Sequence, residues 1–236
     1  MSTASAPRNI QNDTQMKIQA LVFDFDGLIV DTETPEFAAW QAVFAARGCE
    51  LPLATWVLNI GTRGVVDPYA LLAEQLGAPV ERETVRGQVR AHYDALIQDQ
   101  QLLPGVGDYL EAARQAGIQL AVASSSRHDW VDPHLHAHGI RDYFAEVVCA
   151  DDVTEVKPDP ELYRLALRRL DRAPAQAIAL EDSPNGVLAA KAAGMYCVFV
   201  PNAVTAHLTA AGADLQLTSL AQMPLAALVA TILPAV

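Results

Sequence analysis

Cysteine is scarce: Cys49, Cys149 and Cys197 are the only three in 236 residues, far apart and without a CxxC pair. Redox or zinc chemistry of the CxxC type is thereby excluded. Three isolated thiols fit a reduced, cytoplasmic compartment in which Cys is a small buried hydrophobe. Basic residues are also few, 16 Lys and Arg against 28 Asp and Glu, for a formal net charge of -12. Nucleic acid is excluded as a partner on that balance, because its binding leans on clustered cations. So acidic a chain would repel phosphate-bearing molecules too, unless a bound divalent cation supplied the missing charge. No segment spans a bilayer: the longest apolar stretch near the C-terminus, Leu225 to Leu233, is too short. The first sixteen residues are polar and hold no apolar core, which reads as a loose tail rather than a signal peptide. Internal repeats and low-complexity tracts are absent as well. A soluble chain is expected, and with 51% hydrophobic residues it can bury a sizeable core.

What is present is a series of short apolar runs that end in polar or acidic residues. They are Ile18 to Asp24, Ile118 to Ser124, Glu146 to Asp151, Ala177 to Asp182, Met195 to Val200 and a weaker Asp214 to Leu217. Their length and continuous apolarity predict strands buried on both faces of a parallel sheet. Helical patterns lie between them: Val106 to Ala116 closed by Gly117, Glu161 to Leu170 opened by Asp159 and Pro160, and Pro184 to Ala193 closed by Gly194. The alternation predicts an α/β, doubly wound, mostly parallel sheet. Residues 33–98 break it. Pro35 to Arg47, Asp67 to Leu76 and Glu81 to Ile97 read as helices with no strand between them. The expected organisation is a tail (1–16), a core (17–32 and 99–236) and an inserted all-helical cap (33–98), which could move as a lid.

Ligands of doubly wound sheets bind at the carboxyl ends of the strands. Those ends here carry Asp24 and Asp26, then Ser124, then Asp151 and Asp152, then Glu181 and Asp182, with Lys157 on the loop after the third strand. Carboxylates gathered on one rim repel each other unless a cation holds them, and hard oxygen donors beside phosphate point to Mg²⁺. Taken singly, each piece has an ordinary reading. Asp26-Gly27 is a common turn, Ser124 to Ser126 a loop, Lys157 a surface lysine, and Glu181-Asp182 an acidic helix start. Four such readings would have to hold together, in one order, at successive strand ends.

These residues resemble the haloacid dehalogenase superfamily, in its helical-cap phosphatase and β-phosphoglucomutase-like branch. Four motifs carry the resemblance: Asp24-Phe-Asp26-Gly27 followed by Leu28-Ile-Val-Asp-Thr-Glu33, Ala123-Ser124-Ser125-Ser126, Lys157-Pro-Asp-Pro-Glu161, and Glu181-Asp182-Ser-Pro-Asn-Gly186. The resemblance implies that Asp24 attacks phosphorus and forms an aspartyl phosphate, while Asp26 protonates the leaving oxygen and later activates water. Ser124 would bind a phosphoryl oxygen and Lys157 would neutralise charge. Asp24, the Asp26 carbonyl and Asp182, assisted by Glu181, would hold Mg²⁺. Gly27, Ser125 and Asn185 in the motifs, and Arg63 in the cap, are assigned to the substrate, Arg63 for a second anionic group.

The implied activity is that of a phosphatase on small phosphorylated metabolites such as sugar phosphates, working as a monomer. The alternative is a hexose-phosphate mutase, although β-phosphoglucomutases carry His where this chain has Glu36. P-type ATPases carry Thr where Asp26 stands, and their phosphoenzyme persists. A receiver-like phospho-acceptor module would lack both the helical insert and the Asp at position 26. His134, His136 and His138 follow Pro133 in an expected helix and read as a polar surface rather than a zinc site. Trp40 and Trp56 read as packing residues.

Overall fold

The computed structural model describes residues 18–62, 64–97 and 100–232. The expected tail (1–16) and Arg63 lie outside them. Strand β1 (Ala20–Phe23) leads into an insert of helices α1 (Glu33–Ala45), α2 (Leu53–Trp56), α3 (Pro68–Leu76) and α4 (Arg82–Ile97). The chain then runs through α5 (Val106–Ala116), β2 (Gln119–Ala123), α6 (His128–Ala137) and β3 (Glu146–Val148). It continues through α7 (Glu161–Leu170), β4 (Ala177–Glu181), α8 (Pro184–Ala192), β5 (Tyr196–Phe199), β6 (Leu215–Gln216) and α9 (Leu225–Ile232). The six strands pair in parallel, in the order β3-β2-β1-β4-β5-β6. This is the α/β fold that the alternation predicts.

Side chains alternate across the strands with the period of two that a pleat imposes. Leu21 and Phe23, Leu120 and Val122, and Ile178 and Leu180 face one layer, where Tyr109, Val131 and Leu228 cover them. On the other face stand Ala20, Ala121, Ala123, Ala177 and Ala179 beside Val22. Small residues there let α7 and α8 approach closely and seat Leu162, Tyr163 and Leu167 against the sheet. Tyr163 is thus driven under the strand ends, where it matters to the site. The insert has its own apolar cluster, with Trp40, Phe44, Leu51, Trp56, Leu72 and Val85 inside it. Tryptophans 40 and 56 pack 6.3 Å apart within that cluster.

Strand ends fall a residue or two short of the apolar runs, because Asp24, Ser124 and Asp182 step out of the ladder toward the rim. Helix α7 begins at Glu161 with Pro160 in the cap position, one residue later than the expected cap at Asp159, whose Oδ1 still accepts the Glu161 N–H at 2.9 Å. Helix α6 starts at His128 and contains Pro133 within it, whereas the sequence placed the helix after that proline. The donor that Pro133 lacks would have gone to the carbonyl of Asp129, an exposed residue that water can serve.

Candidate active site

Where strand order reverses, between β1 and β4, the chain leaves a crevice at the carboxyl edge of the sheet. Asp24 is the first residue past β1; its N–H still donates to Leu180 at 2.9 Å, which holds it on the rim. Glu181 ends β4, and Asp182 follows. One carboxylate oxygen from each of the three lies within 4.8 Å of the others, and all three residues are buried. Lys157, 1% exposed, donates to Asp24 and, at 2.7 Å, to Glu181. Two of the three buried carboxylates therefore share one ammonium.

Glu181 is committed within the protein. Its Oε1 accepts from Lys157 and the Tyr163 hydroxyl, and its Oε2 from Ser183 Oγ at 3.3 Å. The first turn of α8 leaves room for it only because residue 186 is glycine: a Cβ there would lie 1.9 Å from the Glu181 carboxyl carbon. Asp182 differs. Its Oδ2 accepts from Asn202 at 2.7 Å, but its Oδ1 is buried and, among the described residues, has no hydrogen-bond partner. An unpartnered buried carboxylate oxygen costs free energy, and here it faces two more carboxylates. Burial pushes the Asp24 carboxyl up to about 7 despite the Lys157 ammonium beside it. Asp182 is raised well above the usual carboxylate range by burial and then by Asp24 and Glu181. Lys157 keeps its proton: burial opposes the charge, but Asp24 and Glu181 outweigh it and raise the ammonium. A divalent cation fits this donor set, with Asp24 and Asp182 as the oxygens that would hold it.

Gly27 makes the approach possible. It has φ of 77°, and a Cβ there would stand 2.4 Å from both Asp182 Oδ2 and Asn202 Nδ2. The Asn202 amide also donates to the Gly27 carbonyl at 3.1 Å and so ties the first motif to the fourth. Asp26 points elsewhere. Its Oδ1 accepts from Trp130 Nε1 at 2.9 Å and Thr32 Oγ1 at 3.0 Å. Its Oδ2 accepts from Ser126 Oγ at 2.7 Å and Ser124 Oγ at 3.3 Å. Ser124 is held at the rim by its N–H on Val148, 2.9 Å away.

Asp24 and Asp26, with Thr32, Ser126 and Trp130, line a cavity of about 560 Å³ between the sheet edge and the insert. The insert roofs it through the turn at residues 59–62. Asn185 Nδ2 donates to the Ile60 carbonyl at 2.9 Å and Ser125 Oγ to the Gly61 carbonyl at 3.2 Å. Both residues, expected at the substrate, are engaged with the insert. Arg86 and Arg90 of α4 and Arg127, just before α6, also line the cavity. Glu36 lines it too and stays exposed to solvent; the protein atoms around its carboxyl and then the Asp26 charge raise its pKa, and that exposure screens the effect.

The profile of the haloacid dehalogenase-like hydrolases matches residues 21–200. The chain belongs to the haloacid dehalogenase-like hydrolases. Bacillus subtilis YhcW, provisionally named a phosphatase, is 46% identical over 211 residues, covering 89% of this chain and 96% of its own. The β-phosphoglucomutase of the same organism is 31% identical over 193 residues, covering 78% of this chain and 83% of that one. Among solved structures, a variant of CbbY from Rhodobacter sphaeroides in complex with xylulose-(1,5)bisphosphate is 34% identical. It superposes with a TM-score of 0.70 over 89% of this chain and 99% of the other. The present chain is an enzyme of the phosphatase type, on the β-phosphoglucomutase-like side of the family.

Not every strand-end residue of this hydrolase reaches the crevice. Asp151 and Asp152 turn away. Asp152 accepts from His128 and Arg169, each at 2.8 Å, and Asp151 pairs with Arg127 at 3.0 Å. His128 also contacts Asp132 at 2.9 Å. Its partial burial opposes the charge, but bonds to Asp152 and Asp132 raise its pKa above the ordinary 6.5. Stability from this pair is fully present below 6.5 and is lost as pH rises through the higher folded value. His128→Gln should therefore lower the urea midpoint at about pH 5.5 and change it little at about pH 8.5. Equal losses at both values would refute this. Of the expected histidine surface, His134 departs: it packs 4.3 Å from the Trp130 ring, and burial lowers its pKa. Among the described residues, no histidine joins a metal-ligating group.

The sequence reading passed over Asn202, Trp130 and Thr32. Asn202 had a signal, since it follows Val200 and Pro201 at the end of the fifth apolar run, which with the sixth was left out of the rim. Thr32 lay in a motif already quoted. Trp130, ~100 residues from its partner in the chain, had none.

Proposed function

We propose that this enzyme is a Mg²⁺-dependent phosphohydrolase of small phosphorylated metabolites, sugar phosphates above all, that works through an aspartyl phosphate on Asp24. The observation that carries the reading is the buried group of Asp24, Asp182 and Lys157 at the switch point, with Asp182 Oδ1 lacking a partner among the described residues. Asp24 attacks phosphorus. The bond to the leaving oxygen breaks, and that oxygen takes the proton of Asp26. Asp26 then accepts a proton from water as the water oxygen attacks phosphorus and the Asp24–phosphorus bond breaks. Lys157 offsets the charge on Asp24 and on the transferring group, and Ser124 donates to a phosphoryl oxygen. The cation, when bound by Asp24, Asp182 and the Asp26 carbonyl, adds positive charge at the phosphoryl oxygens. Glu181 assists by orienting Lys157.

In this reading residues 33–98 are the cap and residues 17–32 and 99–236 the core, with the tail preceding them. Gly27 lets the backbone approach Asp182, while Ser125 and Asn185 hold the roof over the substrate. Arg63 is retained as the residue for a second anionic group. The CbbY complex with a bisphosphate supports a phosphorylated carbohydrate as substrate. We propose a monomer, with three buried thiols suited to the cytoplasm; among the described residues no helix is long and apolar enough to cross a membrane. A hexose-phosphate mutase is the second reading, favoured by the β-phosphoglucomutase relative. Glu36 stands against it, where those mutases carry His.

The test is phosphate release from a panel that includes glucose 6-phosphate, phosphoglycolate, a pentulose bisphosphate and nucleotides, with Mg²⁺ and with EDTA. Release dependent on Mg²⁺ is expected. No release from any member, or release indifferent to EDTA, contradicts the reading. Interconversion of hexose 1- and 6-phosphates that needs a bisphosphate primer would establish the mutase.

A further inference from the structure

We infer that Trp130 is the positioning residue for Asp26, and that Tyr93 of the insert sets where Trp130 stands. The inference rests on the reading of Asp26 as acid and base. Four donors surround the Asp26 carboxyl, and three are hydroxyls: Thr32, Ser124 and Ser126. A hydroxyl rotates and both donates and accepts, so it follows the carboxyl rather than directing it. The indole N–H is different. It lies in the ring plane, only donates, and its direction is fixed by whatever packs the ring.

The ring is packed from both units. His134, one turn on along α6, lies 4.3 Å away in an edge contact, with Phe25 of the first motif 6.0 Å beyond it. Tyr93 of α4 lies 5.6 Å from the Trp130 ring, is 7% exposed and, among the described residues, has no partner for its phenolic oxygen. The Tyr93 ring thus meets the core as a packing surface, and its position is that of the insert. Displacing α4 would shift the indole and with it the donor on Asp26 Oδ1.

A chemical consequence follows. Because the indole has no lone pair to accept with, Oδ1 is committed as an acceptor. The proton that Asp26 carries as an acid then resides on Oδ2, against Ser124 and Ser126, whose hydroxyls can turn to accept it. Ser124 is the residue at the phosphoryl-binding strand end, so the proton is held on the side of the chemistry.

The experiment compares kcat/KM for glucose 6-phosphate, whose alkoxide leaving group needs a proton, with that for p-nitrophenyl phosphate, whose leaving group does not. Trp130→Phe keeps an aromatic ring and removes the N–H; benzothienylalanine at position 130 keeps the full shape and removes it too. Both should lose about tenfold on glucose 6-phosphate and less than about twofold on p-nitrophenyl phosphate. Tyr93→Ala should show the same split at about threefold. Equal losses on the two substrates, or no loss with the benzothienyl isostere, would overturn the inference. Asp26→Asn is the control: if it shows the split and position 130 does not, only Trp130 is misassigned. If Asp26→Asn shows no split, the assignment of Asp26 itself fails.

Discussion

Asp24→Asn is expected to lose on the order of 10⁴-fold or more in kcat while the protein stays as stable as the wild type or becomes more so. The two effects have one cause. Asp24 is held on the rim as a buried anion beside Glu181 and Asp182, with only Lys157 to compensate, and burial raises its pKa from 3.8 to about 7. A carboxyl with a raised folded value keeps its proton longer in the folded than in the unfolded state. The contribution of Asp24 to the stability of the metal-free protein therefore falls as pH climbs from 3.8 through about 7. The amide of the variant has no charge to bury and escapes that fall. In EDTA its denaturation midpoint should exceed that of the wild type by more at about pH 8.5 than at about pH 5.5. Added Mg²⁺ should narrow the difference, because the wild type gains a ligand that the variant binds poorly. A variant that keeps activity, or that is destabilised most at high pH, contradicts the placement of Asp24.

Lys157→Met is the opposite case, a loss of both activity and stability. The ammonium is buried, donates to Asp24 and Glu181, and lies 5.2 Å from the Tyr163 ring. Methionine has a similar length and no charge, so the variant would bury three carboxylates with no cation among them. Removing one partner of a buried ion pair costs about 3–5 kcal/mol, and the phosphoryl group would lose its fixed positive neighbour as well. We expect a fall of about 10³-fold in kcat/KM and a matching drop in the urea midpoint. Lys157→Arg should not rescue it, since a planar fork does not fit a slot shaped for one ammonium. Combining Lys157→Met with Asp24→Asn should restore part of the lost stability, a coupling of about 1–3 kcal/mol. Strict additivity would show that the two side chains do not share the site as described.

How far the sequence reached depends on the distance over which each feature is encoded. Strands β1, β2, β4 and β5 were legible because each is a continuous apolar run, the signal of burial on both faces. The site was legible where it sits on those strand ends. Asp24, Ser124 and Asp182 need only the strand-end rule and the motifs around them. What stayed hidden depends on packing between distant segments. Asp151 and Asp152 satisfy the same rule as Asp182, yet they turn toward Arg127, His128 and Arg169, which only the placement of α6 and α7 reveals. Glu181 was read as assisting Asp182 at the metal; its bonds to Lys157, Tyr163 and Ser183 require knowing that α7 puts Tyr163 beneath the strand end. Ser125 and Asn185 lie in motifs assigned to the substrate, and their bonds to the turn of the insert depend on how the two units meet.

Ser125 and Asn185 fasten the roof over the cavity, Trp130 and Tyr93 connect the same roof to Asp26, and Gly27 brings the first motif against Asp182. The insert thus touches the site at its turn and at α4, and on the proposed mechanism it would shield the aspartyl phosphate by closing. Specificity for the sugar would then come from groups the insert brings to the cavity wall, Glu36, Arg86 and Arg90 among them.

The most direct measurement is a crystal structure of the wild-type protein with Mg²⁺ and beryllofluoride, a mimic of a phosphoryl group bonded to carboxylate. The account predicts beryllium bonded to an Asp24 oxygen, Ser124 and Lys157 donating to its fluorides, and Mg²⁺ held by Asp24, Asp182 Oδ1 and the Asp26 carbonyl. Density for the mimic on another side chain, or a cation seated away from Asp182, would contradict it.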